Sequence, residues 1–150
     1  NIDVQVIRLN PDVDMPTYGS AGAAAVDLQS ALAAPITIEP GAPSILVPTG
    51  LKIYHGDRRF AEFILPRSGL GHKKGLILGN LVGVIDSDYQ GELLVSAYVR
   101  PGHEPYTIQP LERFAQLVFL PVAFASFTEV EEFHQATERG DGGFGSTGSH

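Results

Sequence analysis

The apolar residues of this chain come in short runs, each closed by glycine, proline, asparagine or aspartate, and no stretch shows the sustained spacing of a long amphipathic helix. The candidate strands in the first half are Ile2–Leu9, Ala25–Gln29, Ile36–Ile38, Ser44–Val47, Leu51–Tyr54 and Phe60–Leu65. Those in the second half are Leu76–Leu78, Val82–Ile85, Leu93–Val99, Tyr106–Ile108 and Arg113–Pro121. Short strands separated by turn residues predict an all-β sandwich, barrel or jelly roll. One helical turn is expected around Ser68–Lys73, because Pro66-Arg67-Ser68 is a helix-starting sequence. A chain of 150 residues predicts a single domain. We place its core at about 1–137 and a C-terminal arm at about 138–150.

Composition narrows the chemistry. There is no cysteine, so disulfides and thiolate metal sites are excluded. No run approaches the roughly 18 apolar residues of a membrane span, and no basic, apolar leader opens the chain, which points to the cytoplasm and away from a membrane. The net charge is −7, with 10 Lys and Arg spread along the chain, so a nucleic-acid partner is not expected. An anionic ligand has to be held by local donors: a few arginines, backbone amides or a bound cation.

Three segments carry such chemistry. Asn80 through Gly91 places an amide, two carboxylates (Asp86 and Asp88) and the Tyr89 phenol in a glycine-bounded apolar turn. Asp, Ser and Gly are also ordinary turn formers. Asp86, which follows two β-branched residues, is a candidate base in a partly dry pocket. Asn80 can donate and accept at once, which matches a pyrimidine edge, and Tyr89 can pack flat on a sugar. Pro66-Arg67-Ser68-Gly69 offers a forked cation, a hydroxyl and close backbone approach, the needs of phosphate binding, although it also suits a capped surface turn. The tail from Gly140 to Gly148 holds five glycines, one aromatic and two hydroxyls. A frayed end would be the plain explanation, but Phe144 between glycines, after Arg139, suits wrapping of phosphates with a ring stacked on a base. Gln116 interrupts an alternating strand, and Asp27 sits among small residues as a partly buried acid. The histidines lack metal spacing, Lys73-Lys74 reads as surface charge, and no P-loop is present.

Together these segments resemble the trimeric deoxyuridine triphosphatase (dUTPase) family, bacterial type, over nearly the whole chain. Five motifs follow in order: Ala21–Leu28, Pro66–Gly69, Gly83–Gly91, Glu112–Leu117 and Arg139–Gly148. The first is a variant, with Ala25 where the family has glycine. The resemblance implies a distorted jelly-roll-like β-barrel or sandwich with a mobile glycine-rich C-terminal arm. It also implies a homotrimer whose active sites are shared between subunits, with dUTP as ligand and Mg²⁺ as cofactor. The implied reaction is hydrolysis of dUTP to dUMP and pyrophosphate, by a water activated by Asp86 that attacks the α-phosphorus. The resemblance further implies that this reaction limits uracil in DNA and supplies dUMP for dTTP synthesis. The resemblance assigns base and sugar reading to Asn80, Gly83, Val84, Ile85, Leu94 and Tyr89. It assigns phosphate contacts to Arg67, Ser68, Gly69 and Gln116, and the closing arm to Arg139, Phe144, Gly145, Ser146 and Thr147. Asp27 would meet Mg²⁺ only through water, the ion being held mainly by the phosphates. The alternatives are a non-catalytic nucleotide sensor on the same scaffold and a dCTP deaminase-like enzyme.

Overall fold

Alternation drives the architecture. In Glu92–Val99, the side chains of Leu93, Val95, Ala97 and Val99 are buried while the residues between them are less so. This is the period of two expected of a strand packed on one face. The computed structural model describes residues 1–145 and 148. Its strands are β1 (Gln5–Arg8), β2 (Val26–Gln29), β3 (Ile36–Ile38), β4 (Ile45–Tyr54) and β5 (Phe60–Pro66). They continue with β6 (Leu76–Leu78), β7 (Gly83–Ile85), β8 (Glu92–Val99), β9 (Tyr106–Ile108) and β10 (Arg113–Pro121). Two four-stranded antiparallel sheets form, in the orders β1-β4-β8-β6 and β2-β10-β5-β7, and β3 pairs with β9 alone. Leu28, Ile64 and Leu117 from one large sheet share a core with Val47, Leu51 and Val95 from the other. The result is a jelly-roll-like sandwich with no closed barrel, and it bears out the expected all-β class.

Several expected boundaries move. Ser44–Val47 and Leu51–Tyr54 are parts of one strand, β4, whose ladder to β8 is irregular between Pro48 and Lys52. Pro48-Thr49-Gly50 resembles a chain break, but Gly50 adopts φ +69 and its carbonyl accepts the Leu9 amide at 2.7 Å. The strand therefore bulges where a turn was expected. β1 is shorter than Ile2–Leu9, because its ladder to β4 covers only Gln5–Arg8. The helical turn is wide and π-type, runs over Leu70–Lys74, and closes at Gly75 (φ +72), whose amide donates to the Leu70 carbonyl. The segment around Asp86 is not a paired hairpin. β7 bonds to β5 in one sheet and β8 bonds to β4 and β6 in the other, so the turn between them crosses the sandwich. Past Pro121 the chain through Gly145 has neither strand nor helix and leaves Phe124, Phe127 and Phe133 exposed. Among the described residues, no helix is long and apolar enough to cross a membrane.

Candidate active site

The register of β10 builds one cluster. Gln116 lies opposite Asp27 on β2 and opposite Leu65 on β5, beside the exit of β5 into Arg67. Gln116 Nε2 donates to the Pro66 carbonyl at 2.8 Å. Arg67 Nε meets Asp27 Oδ1 at 3.1 Å, and its Nη1 donates to the Arg113 carbonyl at 3.0 Å. Asp27 is half-buried, as its small neighbours foretold. Ala25, at the family's glycine position, is not among the positive-φ residues, so a methyl group is tolerated there. Asp27, Arg67, Ser68, Gly69 and Gln116 line a cavity of about 400 Å³ together with Lys73 and Lys74. The two lysines were missed in the sequence, where an exposed Lys-Lys pair has no signal of its own. They turn toward the cavity because the helical turn Leu70–Lys74 folds back behind Gly69. Against a molecular charge of −7, this cavity is lined by three cations and one carboxylate, which suits a polyanion. A larger cavity, about 750 Å³, lies beside the N-terminal segment and is lined mainly by apolar residues such as Val6, Leu117 and Phe119. None of its lining side chains is charged.

A second cluster sits on the turn that leaves β7. Gly83 packs on Ile64, and a Cβ there would lie 3.2 Å from the Ile64 Cβ. Val84, Leu94 and Asn80 are exposed, Ile85 is half-buried, and Leu81 beside Asn80 adopts φ +67. The Tyr89 amide donates to the Asp86 carbonyl at 3.1 Å, and its hydroxyl donates to the Glu92 carbonyl at 2.8 Å, which holds the ring across the turn. A Cβ at Gly91 would come within 2.3 Å of the phenol oxygen, so any other residue there would displace the ring from this position. Asp86 itself is exposed on the single chain, in contrast to the partly dry pocket expected from its apolar neighbours. Ile85 and Ser87 are half-buried, and Asp86 between them is exposed.

The two clusters are apart. Because β7 runs antiparallel to β5, with Gly83 opposite Ile64 and Ile85 opposite Glu62, Asp86 lies near the start of β5 and Arg67 beyond its end. At 3.3 Å per residue that separation is on the order of 20 Å. The arm forms a third element. Arg139 Nε donates to the Gly142 carbonyl at 2.7 Å, Phe144 is fully exposed, and Gly145 follows at φ +80. Ser146 and Thr147 lie outside the described residues. Among the described residues no group of three or more His, Cys, Asp or Glu side chains gathers to hold a metal ion.

A family model described as dUTPase matches residues 11–148. The chain belongs to the dUTPase family. Curated relatives named deoxyuridine 5'-triphosphate nucleotidohydrolase agree with this. That of Paraburkholderia phymatum is 51% identical, over 99% of this chain and 99% of the relative. That of Bordetella pertussis is 53% identical, over 99% of this chain and 97% of the relative. Among solved structures, the Staphylococcus bacteriophage 80alpha dUTPase with dUpNHpp superposes with a TM-score of 0.84 at 25% identity, over 98% of this chain and 99% of that one. A mutant dUTPase from phage phi11 of S. aureus, described with a structural Mg(II) ion, superposes with a TM-score of 0.74 at 22% identity, over 89% of this chain and 99% of that one.

Membership of the family gives the geometry a context. The fold expected from the resemblance holds, and the turn after β7 and the Arg67 cavity are both present on it.

Proposed function

We propose that this chain hydrolyses dUTP to dUMP and pyrophosphate in a homotrimer whose sites are shared between subunits. The observation that carries the shared site is the placement of Asp86 and Arg67 at opposite ends of β5. A triphosphate cannot be attacked by a water on Asp86 while lying in the Arg67 cavity of the same chain. Two chains side by side can bring one Asp86 turn to another chain's phosphate cavity, and the arm of a third can then cover the exposed turn. The chain acts as one unit, with a core at about 1–137 and a closing arm at about 138–150, in the cytoplasm.

Within such a site, Asp86 takes a proton from a water that attacks the α-phosphorus, and pyrophosphate leaves. Arg67, the Ser68 hydroxyl and the backbone at Gly69 hold phosphate oxygens, with Gln116 beside them. Asn80, with Gly83, Val84, Ile85 and Leu94, reads uracil, and Tyr89 packs on the deoxyribose. Arg139 grips the terminal phosphate, and Phe144, Gly145, Ser146 and Thr147 close over the nucleotide and exclude bulk water. Asp27 is the one carboxylate lining the phosphate cavity, and it is engaged by Arg67. That donor set fits Mg²⁺ carried by the phosphates and met by Asp27 through water, and a bound Mg²⁺ neutralises phosphate charge. The retained Asp86 turn and Gly-Phe-Gly arm favour hydrolysis over a sensor or a deaminase.

The test is pyrophosphate release from dUTP with Mg²⁺, beside dTTP, dCTP, UTP and a metal-free control. Fast release from dUTP alone is expected. Binding of dUTP without release would replace hydrolysis with sensing, and ammonia release from dCTP would point to deamination.

A further inference from the structure

A buried ionisable pair stands directly behind the Asp86 turn. Each partner lay unremarked in the sequence: His55 seemed solitary, and Glu62 is the one acid in the apolar run Phe60–Leu65. His55 Nε2 lies 3.2 Å from Glu62 Oε2, and the two side chains are 0% and 1% exposed. The Asp57 amide donates to His55 Nδ1 at 3.2 Å, so the proton of the neutral ring sits on Nε2 and is given to the glutamate. The ring also stands edge-on to Phe119, with centroids 5.8 Å apart. His55 follows β4 in one sheet and Glu62 lies on β5 in the other, so the pair ties the two sheets together. It also pins the loop between them. In that loop the Gly56 amide donates to the Ser87 carbonyl at 3.3 Å, one residue beyond Asp86. Glu62 lies directly opposite Ile85, one residue before Asp86. The turn is thus held on both sides of Asp86 by backbone that the pair orders.

We infer that His55 and Glu62 are positioning residues for the reaction, fixing through Gly56 and Ile85 the turn that aims the Asp86 carboxylate. Neither touches the nucleotide, and the inference rests on Asp86 being the base. An apolar pair could fill the same volume, and replacing a buried ion pair by apolar residues is often neutral for folding. The pair directs the loop, which an apolar substitute does not do. Aim matters for the transition state more than for binding, so its loss appears in kcat with KM little changed.

The experiment compares steady-state dUTP hydrolysis by the full chain and four variants: Asp86→Asn, Glu62→Gln, His55→Asn and the double change His55→Phe with Glu62→Leu. Misplacement by 1 Å can cost about a hundredfold, so a kcat loss of at least about tenfold with KM within about twofold is expected for the double variant. Glu62→Gln still accepts the Nε2 proton and should keep kcat within about twofold of the parent, whereas His55→Asn, too short to reach Glu62, should lose it. A double variant that turns over like the parent, or loses only in KM, overturns the inference. If the double variant does not fold, equal kcat in Glu62→Gln and His55→Asn overturns it instead. Near-normal turnover by Asp86→Asn would sink the reading of the base and this inference together. An inactive Asp86→Asn beside an unaffected pair would sink the inference alone.

Discussion

In the proposed mechanism, replacing Asp86 by asparagine removes the base and leaves an amide of the same shape. General-base contributions are typically about 10²–10⁴-fold, so kcat should fall by at least about a hundredfold while nucleotide affinity stays within several-fold. Single-turnover kinetics beside equilibrium binding would separate the two effects. Glu62 gives a second prediction at this scale. Burial pushes its carboxyl pKa above the ordinary 4.5, the nearby Asp86 charge adds to the rise, and the hydrogen bond from His55 opposes it. A carboxyl raised in the folded state holds its proton more tightly there than in the unfolded chain. Its contribution is therefore complete below 4.5 and is lost as pH rises through the folded value. Urea midpoints measured upward from about pH 4.5 should show this loss, and Glu62→Gln should flatten that part of the profile. Asp57 works in a separate window. Its hydrogen bonds from Arg59 hold its pKa at about 2, so its contribution is present above 3.8 and is lost as pH falls through about 2.

At the scale of elements, the helical turn Leu70–Lys74 is aimed by its closing glycine. Gly75 sits at φ +72, and a Cβ there would lie 2.5 Å from the His103 ring. Gly75→Ala should lower stability by roughly 1–3 kcal/mol and raise KM for dUTP, because Lys73 and Lys74 ride on that turn. Chemical denaturation and initial rates would check the two parts separately. On β10, Leu117 is 2% exposed in the core between the sheets, and Leu117→Ala should cost about 2–5 kcal/mol in chemical denaturation. Elements bounded by turn residues on both sides were legible from residues alone: β3, β6, β9 and β10 have the boundaries their sequences predict. β4 was not, because Pro48-Thr49-Gly50 carries turn chemistry, and only the pairing of its flanks with β8 keeps it one strand.

For the whole molecule, the shared-site reading predicts a particle of three times the 16.0 kDa chain mass in light scattering. Deleting residues 139–150 should leave that particle folded and nearly inactive, since β1 to β10 and their core lie before the cut. A truncated chain that dissociates would make the arm a structural element. The exposed Phe124, Phe127 and Phe133 of the preceding segment remain in that variant.

The residue string alone determined the all-β class, the Asp86 turn, the Arg67 segment and the aromatic arm, because each rests on local chemistry: a period of two, a forked cation, glycines around one ring. Tertiary structure decided what depends on register. It set Gln116 opposite Asp27, drew Lys73 and Lys74 to the Arg67 cavity, and sent β7 and β8 into different sheets. It buried His55, which follows β4 in one sheet, on Glu62 of β5 in the other, and it parted Asp86 from Arg67 along β5. These placements depend on partners drawn from different strands, chosen by the cooperative packing of two sheets on one core, a property no single segment carries.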